Sequence, residues 1–325
     1  MAARMALTVI GGFLGAGKTT LLNHWLRQHQ GGRVALLVND FGALNIDADL
    51  IAQQHGDTLA LTNGCVCCTL GDDLSLALIR VLEAQPPFEA VIIEASGVSD
   101  PGRIARLAQA APELRRDAVL VLVDASAVRE QWQDPLLADT LQRQLQAADL
   151  LVLNKCDLVD ASALAEVQAL LQAQAPGVPV LQATQGQVPA ALLMGQALQA
   201  QAHQHDPGCG CGHAHGPHAH ADDAHLHGDL FEAWNAHPAA ARPLAAWRAA
   251  LDGLPDGVLR LKGLVATPEQ GWTEVQRVGR RLQLRAAGQG PADGQAVLVA
   301  IGLRAQLPRA ALQALAQAPL TAAVP

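Results

Sequence analysis

The plainest chemistry in the chain sits in Gly12-Phe13-Leu14-Gly15-Ala16-Gly17-Lys18-Thr19. A short apolar run, 6–10, precedes it, and Leu21, Leu22, Trp25 and Leu26 follow at helical spacing. Strand, glycine-rich loop and helix, in that order, let a backbone curl its N–H groups around phosphate oxygens at a helix N-terminus. The cradle would consist of Gly12, Gly15, Ala16, Gly17, Lys18, Thr19 and Thr20. Lys18 is expected to be solvated without nucleotide and to reach the β- and γ-phosphates as a point charge, while the Thr19 hydroxyl would ligate Mg²⁺. The pattern predicts binding of a nucleoside triphosphate.

Other candidates fall at the ends of apolar runs. Glu94 closes the run 90–93 and is followed by Ala95-Ser96-Gly97. An acidic residue there in a P-loop protein holds Mg²⁺ directly or through water, and the Gly97 amide could sense a γ-phosphate. Helix capping is the alternative for Glu94, although Ser99-Asp100-Pro101 already supplies helix-start chemistry. Asn154-Lys155-Cys156-Asp157 ends the run 149–153. An aspartate at that place can accept both N1–H and N2–H of guanine, a pair adenine lacks, so Asp157 points to GTP rather than ATP. Asn154 would brace the loops, the Lys155 stem would lie along the base, and the backbone of 183–184 could reach the guanine O6. Asp40 and Asp47 follow the strand-like run 33–38, where a Mg²⁺-sensing loop could sit; singly, each reads equally well as a solvated turn residue.

Three of the six cysteines are Cys65, Cys67 and Cys68, a spacing that suits metal or redox chemistry rather than a disulfide framework. Residues 203–227 hold eight histidines with Cys209 and Cys211 and no apolar period. Such a low-complexity linker can close a tetrahedral Zn²⁺, Co²⁺ or Ni²⁺ site, or serve as a plain solvated spacer.

The elements that must position these residues alternate between strand and helix. Strands are expected at 6–10, 33–38, 57–61, 90–94, 117–124, 149–153 and 178–181, with a helix at 72–82. The pattern predicts an α/β P-loop GTPase domain with a mostly parallel sheet, placed at 1–200. After a His/Cys-rich flexible linker, 201–228, comes a small α+β domain, 229–325. Its strands are expected at 231–234, 257–266, 274–278, 281–286 and 296–301, its helices at 243–251 and 309–316, and it shows no catalytic constellation.

At 325 residues, half of them apolar, the chain can bury two cores. A net charge of −8 leaves no basic footprint for nucleic acid. No apolar run of about 18 residues is present, and the first strand begins within a few residues of Met1. These features predict no membrane span, no secretory leader and a cytoplasmic location. They are compatible with an oligomer.

Gly11-Gly12-Phe-Leu-Gly-Ala-Gly-Lys-Thr-Thr20, Asn63-Gly-Cys-Val-Cys-Cys68, Glu94-Ala-Ser-Gly97 and Asn154-Lys-Cys-Asp157 together resemble the CobW-type P-loop GTPases, GTP-dependent zinc and cobalt metallochaperones. The histidine-rich insert and Arg260-Leu-Lys-Gly263 extend the resemblance over the whole chain. It implies GTP hydrolysis with Lys18 and Glu94 at the reacting end and Mg²⁺ held by Thr19, Asp40 and Glu94. It further implies Zn²⁺ or Co²⁺ on Cys65, Cys67 and Cys68, passed to a client protein. Asp40 departs from the glutamate of many members, and Ala43 from an acidic residue. Cys156 reads as a small buried filler. Independently, three thiolates within four residues repel one another, and a divalent cation removes that repulsion; a disulfide between adjacent Cys67 and Cys68 would need a strained ring. Two other readings stay open: a metal-storage protein using the histidine tract with a regulatory GTPase, and an ATP-dependent transferase, against which Asn154 and Asp157 argue.

Overall fold

The computed structural model describes residues 4–29, 33–38, 59–62, 72–193, 231–291 and 294–317. Asp40, Asp47, Cys65, Cys67, Cys68 and the tract 203–227 lie outside the described residues. The chain divides into two compact units, Met1–Met194 and Gly195–Pro325.

Among the described residues, seven strands form the sheet of the first unit: β1 (Met5–Gly12), β2 (Val34–Val38), β3 (Leu59–Thr62), β4 (Ala90–Glu94), β5 (Leu114–Asp124), β6 (Leu150–Asn154) and β7 (Val180–Gln182). Their order is β3-β2-β4-β1-β5-β6-β7, and neighbouring strands run parallel. Parallel strands need crossovers, supplied by α1 (Lys18–Gln28), α2 (Asp72–Glu83), α3 (Pro101–Ala110), α4 (Val128–Gln133), α5 (Pro135–Ala147) and α6 (Ala161–Gln174); α7 (Ala190–Leu193) follows β7. Every residue of β1, β2, β4 and β6 is buried, which is why these strands read as continuous apolar runs rather than alternating ones. Each fully buried Leu, Ile or Val there contributes about 1.5–3 kcal/mol over exposure. β2 and β3 lie to one side of β1, and β5 to β7 to the other. Strand order therefore reverses beside β1, and the loops leaving the carboxyl ends of β1 and its neighbours border the crevice where such sheets bind ligands.

This sheet departs from expectation at β5, which starts at Leu114 rather than at 117. Met5 pairs with Leu114 and Leu7 with Arg116, but Thr8 pairs with Ala118, so Asp117 is the extra residue of a bulge. Two arginines hide this beginning from an apolar scan. They are accommodated by ion pairs: Arg116 Nη2 donates to both oxygens of Asp149 at 2.9 and 3.0 Å, and Arg115 Nη1 donates to Asp117 Oδ1 at 3.3 Å.

The second unit carries β8 (Phe231–Ala236), β9 (Val258–Thr267), β10 (Gly271–Val278), β11 (Arg281–Ala287) and β12 (Val297–Leu303) in the antiparallel order β11-β10-β9-β12-β8. Among the described residues, helices α8 (Leu244–Asp252) and α9 (Arg309–Gln317) accompany it, and Trp234, Trp247, Leu251, Leu261, Val275, Leu298 and Leu312 share its core. Among the described residues, no helix is long and apolar enough to cross a membrane, and no cluster of three or more His, Cys, Asp or Glu side chains could hold a metal ion.

Candidate functional site

Four carboxyl ends converge at one edge of the parallel sheet: Gly12 of β1, Glu94 of β4, Asp124 of β5 and Asn154 of β6. Register keeps them level, with Ile10 opposite Glu94, Gly12 opposite Leu122, and Asp124 opposite Asn154.

The glycine-rich loop follows β1 and enters α1 through Gly17, whose left-handed backbone (φ 100°) supplies no side-chain cap. The first-turn N–H groups are thereby left to a ligand rather than to a capping oxygen. Lys18 is not solvated as its sequence context suggested. It is 7% exposed, and its Nζ donates to Gly12 O at 2.9 Å and Phe13 O at 3.2 Å. The loop's carbonyls hold the ammonium inside the loop, where an anionic ligand could exchange these contacts for stronger ionic ones. Thr19 Oγ1 donates to Glu94 Oε1 at 3.4 Å, and Glu94 is buried. Two hard oxygens this close fit within one Mg²⁺ coordination shell. Thr20 is exposed, and Ala16 is buried.

Asn154 is 2% exposed and joins two loops: its Nδ2 donates to Ala16 O at 2.9 Å, and its Oδ1 accepts the Gly186 N–H at 2.9 Å. Lys155 takes a left-handed backbone (φ 61°), and its Nζ donates to Asp124 Oδ2 at 2.7 Å. Asp157 lies in a short 3₁₀ turn, Cys156–Leu158, and is solvent-exposed. Cys156 is half-buried, with its Sγ donating to Leu153 O at 3.1 Å; burial pushes its thiol pKa up, so it stays protonated. Of the backbone donors expected at 183–184, the Ala183 N–H donates to Leu153 O at 2.8 Å, which leaves the Thr184 N–H as the candidate for a guanine O6.

Sequence reasoning missed two participants. Asp124 accepts from the Ser126 hydroxyl at 2.6 Å and the Ser126 N–H at 2.9 Å as well as from Lys155. Its place at the carboxyl end of a central strand was the available signal. Gln144, in mid-helix on α5, is buried and donates to Gly97 O and Ser99 O, but it offered no signal, because a glutamine in an amphipathic helix reads as surface.

Residues 6–182 match the family model described as CobW/HypB/UreG, nucleotide-binding domain. The chain belongs to the CobW/HypB/UreG family. Residues 231–318 match the cobalamin synthesis protein cobW C-terminal domain. Zinc chaperone CobW of Sinorhizobium sp is 32% identical over 337 residues, 92% of this chain and 93% of that protein. Zinc chaperone CobW of Pseudomonas aeruginosa is 34% identical over 232 residues, 61% of this chain but only 62% of its own length. The solved structure of Zn(II)-bound YjiA GTPase from E. coli is 24% identical, with a TM-score of 0.45, covering 97% of this chain and 99% of that one. As a CobW-type P-loop protein, the chain is a GTPase.

Proposed function

We propose that this CobW-type GTPase is a metallochaperone that couples GTP hydrolysis to the delivery of Zn²⁺, or of Co²⁺ in the same thiolate site, to a client protein. In this reading, residues 1–200 form the GTPase domain, 201–228 a metal-binding linker and 229–325 the C-terminal domain. Gly12, Gly15, Ala16, Gly17, Lys18, Thr19 and Thr20 cradle the phosphates, and Gly97 meets the γ-phosphate. Asn154, Lys155 and Asp157 form the base site. Thr19, Asp40 and Glu94 would hold Mg²⁺, which would supply positive charge beside the phosphate oxygens. Lys18 stabilises the same charge, and Glu94 holds the Thr19 hydroxyl in place. The cargo ion would sit on Cys65, Cys67 and Cys68.

The nucleotide half of the reading is carried by the Thr19–Glu94 hydrogen bond beside the Lys18 ammonium at one end of the sheet. The names of the zinc chaperones to which the chain is similar support the metal half. Lys18→Ala tests the first. Turnover should fall by roughly 10²–10³, and loss of two carbonyl hydrogen bonds should cost about 1–3 kcal/mol of stability. Unchanged phosphate release from a folded variant removes the P-loop assignment. The paired substitution Cys65→Ser, Cys67→Ser tests the second: a chelator-competition titration of the full chain should lose one tight zinc site.

A further inference from the structure

Gly97 is buried beside the glycine-rich loop, and a Cβ there would stand 2.6 Å from the Leu14 side chain and 2.8 Å from Leu14 N. Only glycine fits, yet glycine is the residue whose backbone is least restrained by itself. The two peptide planes flanking it are each held. Ser96 O, in the plane that carries the Gly97 N–H, accepts from the Ser99 N–H at 2.9 Å. Gly97 O, in the next plane, accepts from Gln144 Nε2 at 3.0 Å, and the same nitrogen donates to Ser99 O at 3.0 Å. Because peptide planes are rigid, fixing one oxygen in each plane fixes the direction of the Gly97 N–H. Among the described residues, that buried N–H makes no hydrogen bond, a rare condition for a backbone donor unless a ligand completes it.

Gln144 has no surface role. It is 0% exposed, beside Leu141 and Leu145 on the inward face of α5. Two carbonyl acceptors define which end of its amide is nitrogen, and its Oε1 has no partner among the described residues. A helix position suited to leucine thus holds a glutamine for its two donors alone. Other close contacts seat the same segment: Pro101 lies against Gly11 of β1, and Gly102 against Ala147 of α5.

We infer that Gln144 is a positioning residue for GTP hydrolysis, aligning the Gly97 N–H on the γ-phosphate from the far side of the loop. The inference rests on the γ-phosphate role given to Gly97 above. GDP has no γ-phosphate, so the loss on removing the donors is selective. In Gln144→Met, which keeps the volume and removes both donors, affinity for a non-hydrolysable GTP analogue falls roughly tenfold or more. GDP affinity stays within about twofold, and kcat falls with the analogue affinity. In Gln144→Glu, a carboxylate facing two carbonyls repels them, whereas its protonated form regains one donor. Its analogue-to-GDP affinity ratio therefore rises toward wild type as pH drops from about 8 to about 6.

The experiment measures fluorescent GDP and fluorescent GTP-analogue affinities, with melting curves, for full-length wild type, both Gln144 variants and Gly97→Ala. A lowered ratio in Gly97→Ala and in Gln144→Met, with pH-dependent recovery in Gln144→Glu, supports the inference. A lowered ratio in Gly97→Ala alone overturns the role of Gln144 and leaves that of Gly97 standing. An unchanged ratio in Gly97→Ala removes the γ-phosphate role itself. Equal losses for GDP and analogue in Gln144→Met reduce Gln144 to structure. If Gln144→Met does not fold, a pH-independent ratio in Gln144→Glu overturns the inference on its own.

Discussion

Asp124 shows how a carboxylate can act on a binding site through one intermediary. Burial alone would raise its pKa, but donation from Lys155, from the Ser126 hydroxyl and from the Ser126 N–H outweighs burial and holds the carboxyl below its ordinary value. The charge is kept to hold the Lys155 ammonium, and with it the left-handed turn that presents Asp157. A carboxyl whose folded pKa is depressed stabilises the fold above the ordinary carboxylate range. That contribution is lost as pH falls through the folded pKa. Asp124→Asn should therefore cost about 1–3 kcal/mol at pH 7, the worth of charge-assisted hydrogen bonds. The difference from wild type should shrink as pH drops from about 5 toward 3. Urea midpoints across that range measure it. A penalty independent of pH would mean that the shape of the side chain matters and its charge does not.

At the scale of elements, the proposed base-binding loop and the proposed phosphate-binding loop are one mechanical piece. Asn154 ties Ala16 to Gly186, and the Gly186 backbone lies against the first turn of α1: a Cβ there would stand 2.8 Å from Leu21 N and 2.9 Å from Leu21 Cα. Gly186 also holds a positive φ of 67°, whereas Gly271, at φ 70°, has open space within 4 Å of where a Cβ would stand. Gly271→Ala should cost only the left-handed backbone penalty, about 1–2 kcal/mol. Gly186→Ala should add a packing cost of about 1–3 kcal/mol and weaken GTP binding, because the clash pushes on α1 and its loop together. Denaturant melts and nucleotide titrations of the two variants, side by side, separate conformation from contact. Much of this frame was legible in the sequence, since β1, β2, β4 and β6 are buried on both faces and so carry unbroken apolar runs. What was not legible has a common cause. Arg116, near the start of β5, is made tolerable by Asp149, Gln144 is polar on an inward helix face, and Lys18 is held by carbonyls rather than water. In each case the partner that reverses the local expectation comes from tertiary structure or from backbone atoms, neither of which a side-chain pattern displays.

At the scale of the whole molecule, the question is how the state of the nucleotide could reach the proposed cargo ion. Val38 of β2 pairs with both Glu94 of β4 and Thr62 of β3. Three adjacent strands therefore end level with one another, and with strands about 4.8 Å apart the end of β3 lies roughly 10 Å from Glu94. The chain leaves Thr62 three residues before Cys65, and leaves Val38 two residues before Asp40. Both proposed metal loops thus begin on the same rigid edge as the proposed Mg²⁺ carboxylate. If Mg²⁺-GTP orders the Asp40 segment and draws Cys65, Cys67 and Cys68 into tetrahedral reach, GTP must tighten zinc binding, and linkage requires zinc to tighten GTP by the same factor. A coupling of about 1–3 kcal/mol corresponds to roughly 5–150-fold. Zinc affinity of the full chain, set by chelator competition, should be higher by that factor with a non-hydrolysable GTP analogue than with GDP. Running Cys65→Ser, Cys67→Ser in parallel removes the contribution of sites in 203–227, which the substitution leaves in place. On the proposed function, hydrolysis would then open the thiolate site and give delivery its direction. Equal zinc affinities in the two nucleotide states, once the variant's sites are subtracted, would sink the coupling while leaving the GTP site and the cysteine site each intact.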